Sequence, residues 1–221
     1  MSSSTRATRD GVASHRVAEQ LRADILRGVY PPGTRLLQEN IAEQFSASRI
    51  PVREALRVLQ ADGLVTLVAN TGAWISQLSL AECEELYQIR EGIEPLLLRY
   101  SLPNMSAEVL DRLTVLADEM PAAPDVEAFL RLDREFHMLS YSGADTLMLG
   151  ATIERLWNAT QHYRRAFTSH LDAHGRSMVH HEHVLLAGAL RGGSSDDAER
   201  VLLGHIRRTR LELERHPEVF H

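Results

Sequence analysis

The sequence predicts a mainly α-helical protein with two domains, and three observations support this prediction. Apolar residues recur at helical spacing along most of the 221 residues. The exceptions are two neighbouring β-rich segments, 64–68 and 73–76, which predict a hairpin. Charge changes after this hairpin, since residues 1–78 hold nine Arg against seven acidic residues and residues 79–221 hold fifteen against twenty-three. The first part therefore suits a polyanionic partner and the second does not.

Composition limits the class of protein. With 44% hydrophobic and 24% charged residues, the chain is typical of globular domains. No apolar run approaches the roughly 20 residues that span a membrane, and no hydrophobic stretch follows the first ten residues as in a secretory signal. The single cysteine, Cys83, has no partner for an internal disulfide. We therefore expect a cytoplasmic protein without a membrane segment, in which Cys83 lies on a helix face.

The first predicted domain covers residues 15–78 and follows an arm at residues 1–14. The arm is rich in Ser, Thr and Arg, and we expect it to be disordered. Apolar residues at four-residue spacing predict a helix at about 15–27, which Gly28 can end. This helix provides one side of a small core.

A helix-turn-helix follows. A short amphipathic helix ends at the turn Ser46-Ala47, and Ser48 is placed to cap the next helix. The hairpin at 64–76 comes after it, with the turn sequence Asn-Thr-Gly at 70–72. Three helices and a hairpin together predict a winged helix-turn-helix, whose third helix enters the DNA major groove.

Three polar residues lie at the leading end of that third helix, namely Ser48, Arg49 and Arg53. An arginine at this place can donate two hydrogen bonds to guanine O6 and N7, and another can neutralise phosphate. An exposed arginine on an amphipathic helix is equally compatible with plain solvation, so these residues alone leave their role open.

The segment 15–76 resembles the GntR family of bacterial transcription regulators. The matching pieces are Pro32-Gly33-Thr34-Arg35-Leu36, Ile41-Ala42, Ser48-Arg49-x-Pro51-Val52-Arg53-Glu54-Ala55-Leu56 and Asp62-Gly63-Leu64. The resemblance implies that Arg35, Arg49 and Arg53 contact double-stranded DNA and that Gly72 lies at the wing tip. It also implies a homodimer that binds a short palindromic operator, since two recognition helices then read two half-sites.

The second predicted domain covers residues 79–215 and is all-α, with a short tail at 216–221. Helical periodicity and Gly or Pro breaks define about six helices, which we expect to form an antiparallel bundle. Their approximate bounds are 79–100, 106–119, 125–142, 145–171, 175–191 and 195–215.

Four residues of this domain form a candidate metal site. Asp133 and His137 are four residues apart on one helix face, and His183 and His205 lie on the last two helices. One carboxylate and three imidazoles suit a divalent ion such as Zn or Ni. A single Asp-x-x-x-His pair is more often a surface pair, and the chain has 11 His, so the residues alone do not decide.

Residues 79–215 also resemble the FadR C-terminal domain subgroup, abbreviated FCD. The matching pieces are Leu86-x3-Arg90-x3-Glu94-Pro95, Asp133-x-x-Phe136-His137, Glu182-His183 and His205-Ile206. The resemblance implies that Asp133, His137, His183 and His205 bind a divalent metal at the base of an effector pocket.

The same resemblance implies that Arg90 faces the pocket and pairs with an acidic effector. A guanidinium beside a metal ion can bind a carboxylate from two sides. The alternative is a salt bridge from Arg90 to Glu94, four residues further along the helix. Asn158, Tyr163 and Arg164 on the long fourth helix of the domain are further pocket candidates.

The sequence therefore predicts a DNA-binding transcription regulator whose helical domain binds a metal and a small carboxylate metabolite. Repression relieved by the effector is the commoner behaviour in the family. One alternative is a metal-dependent hydrolase, because open His and Asp metal sites also activate water. Against it, no general base is evident beyond the ligands. A second alternative is a regulator that responds to the metal alone.

Overall fold

The computed structural model describes the backbone of residues 2–69 and 71–220, and side chains from residue 11 onward within those ranges. Three residues, one each from the predicted arm, hairpin turn and tail, lie outside the described part: Met1, Asn70 and His221.

The chain divides into two compact units. The first contains residues 1–77 and 154–162, and the second contains residues 78–153 and 163–221. The division after residue 77 falls one residue before the predicted domain boundary. The sequence did not indicate that the middle of a later helix belongs to the first unit.

The first unit contains three helices and three short strands before residue 78. The helices are α1 (Ser2–Leu26), α2 (Gln38–Gln44) and α3 (Arg49–Ala61), and the strands are β1 (Arg35–Leu36), β2 (Val65–Val68) and β3 (Gly72–Ile75). The strands form an antiparallel sheet in the order β1-β3-β2. The sequence did not predict β1, because two residues are too few to show alternation.

Helix α1 begins earlier than expected. Its backbone is helical from Ser2, so residues 2–14 continue the helix where the sequence predicted a disordered arm. The segment contains no proline, and elongation of a helix that is already nucleated costs little. Gly28 follows the helix with φ of 78°, as expected for a glycine that ends it.

The apolar faces of α1 and α3 form the core of the first unit. Its most deeply buried side chains are at most 1% exposed: Val17, Leu21, Val52, Ala55, Leu56 and Leu59. The four-residue and three-residue spacings place these side chains on one face of each helix. The opposite face of α3 remains available for a partner.

The turn between α2 and α3 adopts the conformation that a helix-turn-helix needs. Ser46 has φ of 49°, and the Ala47 amide donates to the Ala42 carbonyl at 2.9 Å, which closes the end of α2. Ser48 is the extended N-cap residue of α3, but its side chain makes no capping hydrogen bond. Ser48 therefore occupies the predicted N-cap position, but its side chain does not cap the helix.

The second unit contains six helices before the tail. They are α4 (Leu80–Ser101), α5 (Ala107–Glu119), α6 (Val126–Ser140), α7 (Leu149–His170), α8 (Ala173–Arg191) and α9 (Ser195–Leu213), the middle of α7 belonging to the first unit. Side chains of Ser79, Ser106, Asp125 and Asp172 cap four of them. The prediction of a mainly α fold with about six C-terminal helices is confirmed.

The order of packing within this unit brings distant parts of the sequence together. Helix α4 packs on α9, α9 on α8, α8 on α5, and α5 on α6. Side chains on α6, α8 and α9 can therefore meet although they are far apart in the sequence. Within the described residues, no helix is both long and apolar enough to cross a membrane.

Residues 216–220 of the predicted tail pack within the second unit. Residues Pro217–Phe220 form a 3-10 turn, and Phe220 is only 8% exposed. Its ring stacks on that of Tyr163 with centroids 4.8 Å apart. A single buried aromatic side chain thus fixes the tail against α7.

Cys83 provides a test of burial in the second unit. Its thiol is 1% exposed, and burial raises its pKa to about 12. The thiol therefore stays protonated and unreactive at pH 8. We expect the native protein to show no reaction with Ellman's reagent at pH 8, and one thiol per chain to react after unfolding in guanidinium. Rapid labelling of the native protein would contradict this assignment.

Candidate functional site

Two predicted DNA-contacting arginines lie exposed at the start of α3. The Arg49 side chain is 71% exposed and pairs with Glu39 of α2, and the Arg53 side chain is 58% exposed, 3.8 Å from Glu54. Exposed ion pairs contribute about 0–1 kcal/mol, so they exchange readily for another anion. Both guanidinium groups are thus placed where a phosphate or a guanine edge can replace the carboxylates.

Arg35 of β1 lies beside Gly72 of the hairpin, which is the predicted wing. Arg35 donates to the Thr71 carbonyl at 2.9 Å, and its guanidinium lies 5.7 Å from the centre of the Trp74 ring. Gly72 has φ of 143°, which favours glycine, and a Cβ there would meet Arg35 Nε at 3.5 Å. Arg35 therefore holds the wing tip in place in addition to carrying a positive charge.

A groove separates α3 from the wing. It has a volume of about 540 Å³, and its lining includes Arg53 and Arg57 of α3, Gln38 of α2 and Thr71 of the wing. Two cationic side chains and two side chains that can hydrogen-bond form its polar part. This is the residue chemistry that contacts a nucleic-acid backbone.

The structure brings the four candidate metal ligands of the second unit together. Asp133 and His137 come from α6, His183 from α8 and His205 from α9, and one ligand atom from each lies within 4.8 Å of all the others. Asp133, His137 and His183 are at most 5% exposed. A set of one carboxylate and three imidazoles at this spacing can hold a divalent ion.

Hydrogen bonds to groups outside these four candidate metal ligands orient two of the imidazoles. His183 Nδ1 lies 2.8 Å from the Val179 carbonyl, and His205 Nδ1 lies 2.9 Å from Glu182 Oε2. A carbonyl or a carboxylate can only accept, so Nδ1 carries the proton in both residues. The lone pair of each neutral ring is then on Nε2, as metal-binding histidines require.

The orientation of His183 gives a test of whether a cation fits. Its Nε2 lies 3.0 Å from Asp133 Oδ1. With the ring proton on Nδ1, two lone pairs face each other at this distance, and only a cation or an added proton makes the contact favourable. Burial lowers the pKa of His183 and disfavours the added proton. The donor set therefore fits a metal ion.

Electrostatics keep the carboxylate charged and the imidazoles neutral. Burial alone would raise the pKa of Asp133, but the positive charge of Arg164 together with the neighbouring histidines outweighs it and holds the pKa well below its usual range. Burial lowers the pKa of His137 to about 4 despite the nearby Asp133. These are the protonation states in which both groups bind metals.

Arg164, a predicted pocket residue, lies beside the four candidate metal ligands. It is 5% exposed and forms an ion pair with Asp133 Oδ2. The pair leaves the other oxygen of Asp133 facing the histidines. Arg164 thus neutralises part of the charge of the cluster.

Arg90 makes the salt bridge that was the alternative to effector binding. Its Nε pairs with Glu94, and Glu94 also accepts a hydrogen bond from the Tyr141 hydroxyl at 2.6 Å. Arg90 is 3% exposed. The pKa of His205 is lowered mainly by burial and further by the positive charge of Arg90, so Arg90 also acts on the four candidate metal ligands. Arg90 therefore forms a salt bridge with Glu94 and also lies close to the candidate metal site.

Two other predicted pocket residues lie elsewhere. Asn158 belongs to the first unit, where its side chain donates to the Asp62 carbonyl at the C-cap of α3, at 3.1 Å. The Tyr163 hydroxyl accepts from the Leu78 amide at 2.6 Å and donates to the Leu78 carbonyl at 2.9 Å. Helical periodicity places both residues on α7, but it does not identify these backbone partners.

Sequence reasoning missed Tyr87. It is 1% exposed, and its hydroxyl has no hydrogen-bond partner among the described residues. It lines a cavity of about 20 Å³ together with Asp133, Arg164 and His205. Its position three residues before Arg90, on the same face of α4, was the signal that could have identified it.

A larger cavity adjoins this small one. It has a volume of about 510 Å³, and Phe129, Thr168 and Val179 line both cavities. Polar groups from Asp125, Arg176, Ser177 and His180 interrupt its otherwise mainly apolar lining. The small cavity suits the polar end of a small molecule, and the larger cavity suits an apolar body.

Comparisons with known proteins agree with both units. Residues 13–75 match the family described as bacterial regulatory proteins, gntR family, and residues 85–208, more than half of the chain, match the FCD domain. The chain is 27% identical over 189 residues to the HTH-type transcriptional repressor RspR of Escherichia coli, covering 84% of this chain and 82% of that protein.

Two solved structures share the fold. The structure of McbR/YncC from E. coli has a TM-score of 0.80 at 22% identity, covering 92% of this chain and 98% of that one. A GntR regulator from Rhodococcus sp. RHA1 has a TM-score of 0.73 at 24% identity, covering 91% and 97%. The relatives are transcriptional regulators and not hydrolases. The chain belongs to the GntR family of transcription regulators, in the subgroup that carries an FCD domain.

Proposed function

We propose that the protein is a cytoplasmic, homodimeric repressor that releases its operator when a small carboxylate binds beside a divalent metal. The observation that carries this proposal is the buried cluster of Asp133 and three histidines, next to a cavity that contains Arg164 and the Tyr87 hydroxyl. The repressor named RspR among its relatives supports the sign of regulation.

The proposed DNA contacts follow from charge and exposure. Arg49 and Arg53 at the start of α3 would reach base edges and phosphates in the major groove, with Ser48 donating to a phosphate. Arg35 and Gly72 would present the wing to the adjacent backbone. A palindromic operator would engage one such surface from each protomer.

The proposed metal, Zn or Ni, would be held by Asp133, His137, His183 and His205. Four protein ligands leave room for an effector oxygen if the ion takes five or six ligands. When bound, the ion would supply a positive centre that attracts the effector carboxylate. The protein supplies the fixed ligands and their tautomers.

The proposed effector pose uses both cavities. The inner cavity of about 20 Å³ accommodates one small polar group, and the Arg164 guanidinium and the Tyr87 hydroxyl there are both donors to a carboxylate. Arg90 adds positive charge behind Tyr87, since its guanidinium lies 4.8 Å from the centre of that ring. The rest of the molecule would occupy the larger cavity, so a carboxylate with an apolar body is favoured.

Helix α7 offers a covalent route between the two activities. In the second unit, Arg164 of this helix forms an ion pair with Asp133. In the first unit, Asn158 of the same helix donates a hydrogen bond to the C-cap residue of α3. An effector that displaces Arg164 would bias the position of α7. Regulation requires that the effector bind one arrangement more tightly than the other.

The first prediction concerns Arg49. Replacing it with alanine should cost about 1–3 kcal/mol of discrimination between the operator and scrambled DNA, because a bidentate base contact is lost. The measurement is fluorescence anisotropy with a duplex that the wild-type protein selects from a random pool.

The matched control is Arg27→Ala, which removes the same charge from a residue after the end of α1 that pairs with Asp24. We expect it to retain discrimination. Equal discrimination by wild type and Arg49→Ala would show that Arg49 reads no base.

The second prediction concerns the buried ion. We expect the protein to keep about one divalent ion per chain through extensive dialysis, and His183→Ala to lose it and melt at a lower temperature. Elemental analysis and thermal unfolding are the measurements. His181→Ala, on the exposed side of α8, is the control and should keep the ion. Native protein that neither holds nor takes up Zn or Ni would refute the site.

The third prediction concerns Tyr87. A carboxylate found by thermal-shift screening of metal-loaded protein should bind Tyr87→Phe about ten- to a hundredfold more weakly, because one hydrogen bond to a charged group is lost. Metal content and operator affinity should not change. Tyr100→Phe on the exposed part of α4 serves as the control. Unchanged affinity in Tyr87→Phe would place the carboxylate elsewhere.

A further inference from the structure

A second group of metal-ligating side chains lies at the C-terminal end of the chain. Apart from the buried cluster, the described residues contain one other such group with ligand atoms within 4.8 Å of one another, namely His170, His216 and Glu218. His216 Nδ1 lies 2.9 Å from Glu218 Oε1, and His170 Nε2 lies 3.9 Å from the same oxygen. The two imidazole centres are 4.3 Å apart.

The three residues come from segments that are held together by other contacts. His170 is the last residue of α7, His216 follows α9, and Glu218 lies in the 3-10 turn of the tail. The turn is fixed by its backbone, since the amide of Val219 donates to the His216 carbonyl at 3.1 Å. The stack of Phe220 on Tyr163 then keeps the tail against α7. The three side chains are therefore close together before any ion binds, and zinc would replace the Nδ1 proton through which His216 bonds to Glu218.

The tautomer of His170 favours metal binding. Its Nδ1 lies 2.7 Å from the Ala166 carbonyl, which can only accept, so the ring proton is on Nδ1. The lone pair of the neutral ring is on Nε2, the atom that lies nearest to Glu218. This is the same arrangement of backbone carbonyl and imidazole that orients His183 in the buried cluster.

The charge of the surroundings also suits a cation. Glu212 Oε1 lies 3.5 Å from His216 Nε2, so a second carboxylate adjoins the group. Two imidazoles and one carboxylate are a common ligand set for zinc, with water in the fourth position. The side chains of His170, His216 and Glu218 are 39%, 27% and 61% exposed, which makes the group accessible and its affinity lower than that of a buried site.

We propose that His170, His216 and Glu218 form a second zinc site, which fastens the C-terminal tail to the end of α7. The ion would join the end of α7 to the segment after α9, and it would hold the backbone after Arg215 in its turn. This proposal is independent of the buried cluster and of the effector.

The test is zinc binding by the full-length protein that already holds its buried ion. We expect calorimetry to show one further Zn²⁺ per chain, and His170→Ala and His216→Ala each to weaken this event at least tenfold while the dialysis-resistant ion remains. His181→Ala, an exposed histidine in the middle of α8, is the matched control and should bind as wild type does. Neither His170 nor His216 is buried, so both variants are expected to fold, which circular dichroism checks.

A second measurement reports the tail directly. Zinc should slow tryptic cleavage after Arg215 in the wild type and leave the rate unchanged in His216→Ala, as followed by mass spectrometry. A wild type that takes up no second ion would overturn the proposal, and so would equal uptake by wild type, His170→Ala and His216→Ala. Loss of the dialysis-resistant ion in His183→Ala would leave it intact, so the two sites fail separately.

Discussion

The carboxylate of Asp133 is the buried charge around which the second unit is organised. It is 5% exposed, and it contacts Arg164 of α7 and His183 of α8, at 3.0 Å for the latter. Removing one partner of such a buried pair typically costs about 3–5 kcal/mol, whereas an apolar replacement of the pair is often neutral. Stability alone therefore does not require this arrangement. Lone pairs that face each other across the cluster indicate instead a site for a cation.

The arginines of the chain divide into two kinds that suit two tasks. Arg49 and Arg53 are exposed, and their carboxylate partners are held so weakly that DNA can replace them. Arg90 and Arg164 are buried, and each has a buried carboxylate as its fixed partner. An exposed arginine gives affinity that depends on salt, and a buried one gives a fixed geometry for a small ligand. In the proposed function, the same type of side chain thus contacts DNA from one unit and binds a small ligand in the other.

The sequence was sufficient for what periodicity and local motifs encode. It predicted the six C-terminal helices, the turn at Ser46 and the four candidate metal ligands that the structure brings together. It was insufficient where a partner comes from another part of the chain. Asn158 and Tyr163 lie on α7 as expected, yet each contacts a backbone group far away in sequence. Tyr87 was missed because an apolar ring on a helix face does not reveal an unpaired hydroxyl.

The central claim is that a carboxylate releases DNA only when the buried cluster holds its ion. The most direct measurement is anisotropy of a labelled operator, titrated with a carboxylate found by screening. It compares metal-loaded protein, metal-stripped protein and stripped protein refilled with zinc. We expect release from the loaded and refilled forms at the same concentration and much weaker release from the stripped form. Equal release from all three would contradict the claim, and release by zinc alone would identify a regulator that senses the metal itself.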